Sequence, residues 1–196
     1  MKKLLITGFD PFGGATVNPS WEAVKRLPEV VGSYELTKLE IPTVFGVGAG
    51  KVLEAAKALQ PDVILCVGQA GGRSGITPEV VGINLREAGS ADNAGNRMTN
   101  VPVAEDGPAA YFATVPVREM VKALKEAGIS AGLSFSAGAF VCNDVLYTLL
   151  HHYHGSKTQV GFIHVPFLPE QAKPGVASLP LKTITAALEI AIQALG

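Results

Sequence analysis

The run Asp62-Val-Ile-Leu-Cys-Val-Gly68 constrains the fold more than any other stretch. It is apolar without the alternation of a half-exposed strand, so a strand here needs cover on both faces. That is the situation of a strand inside a parallel sheet with helices packed on either side. Cys66 lies within the run and is read as core. Strand and helix patterns alternate along the rest of the chain. Residues 3–7, 34–41, 76–84 and 159–166 read as strands, and 131–136 as the end of a short buried one. Helical spacing starts after Ser20, taken as an N-cap, and recurs over 44–59, 116–127, from Val141 onward, and over 181–195. This order predicts one α/β domain over residues 1–196, a three-layer α/β/α arrangement around a mostly parallel, mixed central sheet.

At 196 residues, 47% of them hydrophobic and with a formal net charge of -1, the sequence can bury a sizeable core. No basic run stands out, which argues against a nucleic-acid partner. The apolar part of Met1-Lys-Lys-Leu-Leu-Ile-Thr-Gly is too short for a signal-peptide core, and no segment approaches membrane-spanning length. Two cysteines cannot form a disulfide framework and suggest a reducing compartment, so a cytoplasmic location is expected.

Chemistry concentrates in Ser134-Phe-Ser-Ala-Gly-Ala-Phe-Val-Cys-Asn-Asp-Val-Leu-Tyr147. Ala137-Gly138 reads as a turn, and Cys142 falls in the first turn of the helix that follows. Unpaired backbone N–H groups and the positive end of the helix dipole favour a thiolate there. Cys142 is therefore either a nucleophile with an oxyanion site beside it or a small buried hydrophobe. His164 ends one strand and Glu79 begins another; with Cys142 they supply a nucleophile, a base and an orienting acid if the fold brings them together. Gly8-Phe-Asp-Pro-Phe-Gly-Gly14 is a loop without a phosphate-binding fingerprint, and its Phe9 and Phe12 either join the core or line an apolar pocket. Gly68-Gln-Ala-Gly-Gly-Arg73 lies at a strand's carboxyl end, where open α/β sheets bind ligands. His151, His152 and His154 lack a local Cys or carboxylate cluster; they read as helix C-terminal residues favoured by the dipole rather than as a metal site. Residues 86–108 are polar, aperiodic and long for a loop.

The two glycine-rich loops, with Ile76-Thr-Pro-Glu, Gly107-Pro-Ala-Ala-Tyr-Phe, Ser136-Ala-Gly-Ala-Phe-Val-Cys-Asn and Phe162-Ile-His-Val-Pro-Phe-Leu-Pro-Glu-Gln, resemble the pyroglutamyl peptidase I family in order and over nearly the whole chain. The resemblance implies a phosphorylase/hydrolase-like fold and a cysteine peptidase that releases N-terminal pyroglutamate from peptides, with no metal or organic cofactor. It implies Cys142 as nucleophile, His164 as general base and Glu79 as orienting acid. Phe9 and Phe12 would flank the lactam ring, with Phe140 and Val141 nearby and the Gln69 backbone available for hydrogen bonds. It also implies a homo-oligomer, commonly a tetramer. One departure stands out: where the family runs Asp-Ala-Arg-Ile-Pro-Asp-Asn, this chain has Glu87-Ala-Gly-Ser-Ala-Asp-Asn93, with Gly89 in the arginine's place and Ser90 after it. Arg86 and Arg97 are the candidates to substitute. The alternative expectation is a weakened enzyme or a non-catalytic binder of lactam peptide ends.

Overall fold

A computed structural model describes residues 1–196. Six strands form the main sheet: β1 (Lys2–Phe9), β2 (Val30–Val31), β3 (Tyr34–Ile41), β4 (Val63–Gln69), β5 (Thr77–Pro78) and β8 (Gln159–Val165). Their spatial order is β2-β3-β1-β4-β8-β5. β1, β3, β4 and β8 are mutually parallel, whereas β2 and β5 run antiparallel along the two edges. A separate ribbon pairs β6 (Val81–Ile83) with β7 (Ala110–Phe112). The mostly parallel α/β architecture expected from the sequence is the one observed.

β4 lies between β1 and β8, and its alternate residues feed two cores. Val63, Leu65 and Val67 pack with the helices α1 (Pro19–Arg26), α3 (Val117–Glu126) and α5 (Leu181–Gln193). Ile64 and Cys66 face the opposite layer, made by α2 (Val47–Leu59) and α4 (Val141–His152). Continuous burial on both faces is the physical reason that its sequence is uniformly apolar. No helix is long and apolar enough to cross a membrane.

Several local expectations need correction. Asn18, not Ser20, caps α1: its side chain accepts from the Ser20 N–H at 3.1 Å, while the Ser20 hydroxyl accepts from the Phe9 N–H at 3.0 Å. α2 starts at Val47 rather than residue 44, because Gly46 adopts φ +72° and breaks the helical path. The expected strand over 76–84 divides into β5 and β6, which belong to different sheets, with Glu79 and Val80 at the break. Residues 131–136 are not a buried strand; they pair with the 76–79 segment as the isolated bridges Ile76–Ala131 and Glu79–Ser134. Phe135 is exposed.

The end of β1 approaches α1 closely. A Cβ on Gly8 would lie 2.5 Å from the Trp21 Cα and 2.6 Å from its backbone nitrogen. Backbone cannot rotate away as a side chain can. Gly8→Ala should therefore destabilise the fold by about 1–3 kcal/mol, read as a lower denaturant midpoint with an unchanged m-value. An unchanged midpoint would contradict this packing.

Candidate active site

In a parallel sheet the carboxyl ends of the strands share one edge, and that edge is where the chemistry gathers. A cavity of about 330 Å³ opens there, lined from the strand ends by Phe9, Gln69 and His164 and from the 134–147 segment by Ser136, Phe140 and Cys142. Phe12, Asn18, Thr43 and Arg73 complete much of the wall. Cys142 is the second residue of α4, whose first turn has no side-chain cap, so its leading N–H groups are free for a ligand. Gly68 keeps the approach open: a Cβ there would stand 3.0 Å from Cys142 Sγ and 2.7 Å from the Phe162 ring.

His164 is 3% exposed and Glu79 is fully buried. His164 Nδ1 lies 2.7 Å from Glu79 Oε1. An ionised carboxylate only accepts, so this contact assigns the proton to Nδ1 and leaves Nε2 as the basic nitrogen. The break between β5 and β6 lets Glu79 reach this position while its N–H donates to the Phe162 carbonyl at 2.9 Å. Cys142 and His164 thus share a cavity, and Glu79 stands behind His164.

Of the other expected residues, Phe9, Phe12, Gln69 and Phe140 line the cavity. Phe12 and Phe140 are in mutual contact, their centroids 6.3 Å apart, and Phe140 meets Phe45 edge-on at 5.2 Å. They form one apolar wall. Val141 is fully buried in the α2–α4 core and is not among the lining residues. The polar atoms of Asn18 and Thr43 are already engaged: the Asn18 amide donates to the Asp10 carbonyl at 2.9 Å, and the Thr43 hydroxyl donates to Asp10 Oδ1 at 2.8 Å. The Gln69 side-chain oxygen accepts from Gln171 at 3.2 Å. His151 is drawn into a different cluster, its Nδ1 lying 3.0 Å from the Tyr111 hydroxyl.

The family model described as pyroglutamyl peptidase matches residues 2–196. The chain belongs to the pyroglutamyl peptidase family. A pyrrolidone-carboxylate peptidase of Enterococcus faecalis is 50% identical over 196 residues, covering 98% of this chain and 92% of that protein. The crystal structure of pyroglutamyl peptidase I from Bacillus amyloliquefaciens is 48% identical, covers 100% of this chain and 97% of its own, and superimposes with a TM-score of 0.96. The more distant pyrrolidone carboxyl peptidase from Thermococcus litoralis, at 33% identity, still gives a TM-score of 0.95 over 100% of this chain and 93% of that one.

Against this family background, the fate of the substituted loop is clear. Gly89 faces open space, and neither it nor Arg86 nor Arg97 lines the cavity. Arg86 is instead committed to Asp144 on α4, with Nη2 2.6 Å and Nε 2.7 Å from the same carboxylate oxygen. The cation in the cavity wall is Arg73, a residue that the sequence offered only as the end of a glycine-rich loop.

Electrostatics define the resting state. Burial pushes the Cys142 thiol up to about 12; the Glu79 charge and Cys66 add to this, while Arg73 and the residue's own backbone N–H oppose it. Burial also holds His164 below its ordinary 6.5, with Glu79 pulling it up and Arg73 pulling it further down. For Glu79, burial acts upward, but the hydrogen bond and charge of His164, then the Ser134 side chain and lastly the Arg73 charge, leave it below its ordinary 4.5. The expected helix-terminus thiolate is thus outweighed by dehydration of the sulfur. A neutral thiol faces a neutral imidazole. Because His164 must be unprotonated to accept a proton, activity should rise with pH through a midpoint below 6.5. A kcat/KM profile with its acid limb above 6.5 would contradict this placement.

Proposed function

We propose that this protein is a cysteine peptidase that hydrolyses the amide bond after an N-terminal pyroglutamyl residue. The observation that carries the reading is that Cys142 and His164 wall one apolar cavity, with Glu79 oriented on the far side of the imidazole at 2.7 Å. Cys142 Sγ attacks the pyroglutamyl carbonyl carbon as its proton passes to His164 Nε2. The resulting oxyanion is stabilised by the free N–H groups of the first turn of α4. Expulsion of the peptide amine takes the proton from His164 and leaves a thioester on Cys142. Water, activated by the same imidazole, then releases pyroglutamate and restores the thiol. Glu79 keeps the tautomer and stabilises the transient imidazolium.

The cavity suits a small neutral lactam. Phe9, Phe12 and Phe140 supply apolar contact, and the nearby side-chain polar atoms of Asn18 and Thr43 are occupied with Asp10. Lactam recognition therefore falls to main-chain groups, with Gln69 as the leading candidate. A prolyl residue lacks the lactam carbonyl and would leave the matching donor dehydrated and unpaired. Gly89 does not weigh against catalysis, since it lies outside the lining and the reacting set is complete without it. The family match over residues 2–196 supports one catalytic domain. The two free cysteines suit a reducing cytoplasm, and exposed Phe112 and Phe135 suit burial between copies in a homo-oligomer such as a tetramer.

The direct test is release of aminomethylcoumarin from its pyroglutamyl amide. Turnover of this compound should exceed that of the prolyl analogue by about 10⁴-fold. Cys142→Ala should abolish it. Absence of turnover by folded, reduced protein would overturn the assignment.

A further inference from the structure

Arg73 has no role in the steps above, yet its guanidinium joins three parts of the site. Nη1 donates to Glu79 Oε1 at 2.7 Å and to the Thr77 hydroxyl at 2.5 Å, and Nη2 donates to the Ser136 carbonyl at 3.0 Å. Thr77 in turn donates to the His164 carbonyl at 3.4 Å. Glu79 Oε1 is the same atom that holds His164 Nδ1. The other oxygen, Oε2, is buried with no hydrogen-bond partner; the Ser134 hydroxyl near this carboxylate donates to the Ser136 carbonyl at 3.2 Å. The orientation of Glu79 therefore depends on the two contacts at Oε1, one of them to Arg73.

Charge points the same way. The ionisable groups acting on Cys142 are Glu79 and Cys66, which oppose its ionisation, and Arg73, which favours it; His164 shares the cavity. Those acting on His164 are Glu79 and Arg73. Without Arg73 the anionic carboxylate would face both reacting groups uncompensated.

We propose that Arg73 is a positioning residue of the catalytic set, which holds Glu79 against His164 and offsets its charge so that Cys142 can ionise. The inference rests on the reading of Cys142 as the nucleophile. A lysine would keep the charge but could not reproduce the planar fork that reaches Glu79, Thr77 and Ser136 together.

Two variants separate charge from geometry, and two readouts separate this inference from the substrate assignment. Arg73→Gln and Arg73→Lys would be compared with the wild type by the pH dependence of Cys142 alkylation with iodoacetamide, with Cys142→Ala as the blank, and by kcat and KM on the pyroglutamyl coumarin amide. Alkylation needs no pyroglutamyl group. For Arg73→Gln the alkylation midpoint and both limbs of the kcat/KM profile should move to higher pH, because loss of the cation raises both the thiol and the imidazole. Its kcat should fall about 10- to 100-fold, the scale on which outer partners of a reactive side chain act, with KM changed less than threefold. Arg73→Lys should keep the alkylation midpoint while losing about 10-fold in kcat. An Arg73→Gln protein whose rate falls without movement of either pH profile would overturn the proposal, as would one with wild-type behaviour in both assays. Shifted alkylation without any amide turnover in the wild type would uphold the Arg73 role and sink the substrate reading instead.

Discussion

The site depends on one carboxylate oxygen. Glu79 Oε1 receives both His164 Nδ1 and Arg73 Nη1 at 2.7 Å, in a place where the Glu79 side chain has no access to water. An isolated carboxylate could not remain ionised there; the two donors make it tolerable. Its position follows from the backbone. The chain runs along the edge of β8 for Thr77 and Pro78, leaves it at Glu79, and joins β7 from Val81. The turn-out between sheets gives a buried acid a fixed address behind the imidazole. The same departure lets the Ser134–Ser136 segment come alongside, so Glu79, His164 and the segment leading to Cys142 are tied through a few short contacts.

A second buried ion pair secures the start of α4. Asp144, two residues after Cys142, is fully buried between Arg86 and the Gly46 N–H, which donates to its other oxygen at 2.7 Å. Arg86 belongs to the long irregular segment, and Gly46 immediately precedes α2. One carboxylate thus fastens the loop and a neighbouring helix to the first turn of α4. Such a pair adds little net stability relative to an apolar replacement, but removing one partner leaves an uncompensated charge, on the order of 3–5 kcal/mol. This explains why Arg86 does not enter the cavity in place of the absent arginine at position 89. Its charge is spent on anchoring.

The sequence made the framework legible where a single requirement governs a stretch. β4 is uniformly apolar because both its faces are covered, and α4 announces its start through the turn at Ala137-Gly138 followed by apolar spacing. The separation of Cys142, His164 and Glu79 onto a helix start, a strand end and a strand break could be suspected from local pattern and gained force from the family motifs. What stayed hidden depends on partners distant in the chain. An apolar run from 76 to 84 reads the same whether one sheet receives it or two. Asn18 and Ser20 are both competent caps, and the choice is made by Phe9, whose N–H takes up the Ser20 hydroxyl. Arg73 looked like the polar end of a glycine loop; only its carboxylate partner six residues on, folded back against it, gives it meaning. Val141 and Phe140 are adjacent, yet one enters the core and the other the cavity wall because the helix begins between them.

In the proposed reaction a dehydrated, neutral Cys142 thiol becomes an acyl carrier through His164. Mixing the protein with excess pyroglutamyl coumarin amide, quenching in acid within the first turnovers and measuring peptide masses tests it most directly. The account predicts one pyroglutamyl group in thioester linkage on the peptide containing Cys142, and none on the peptide containing Cys66. Product formation with the acyl group on another residue would contradict it.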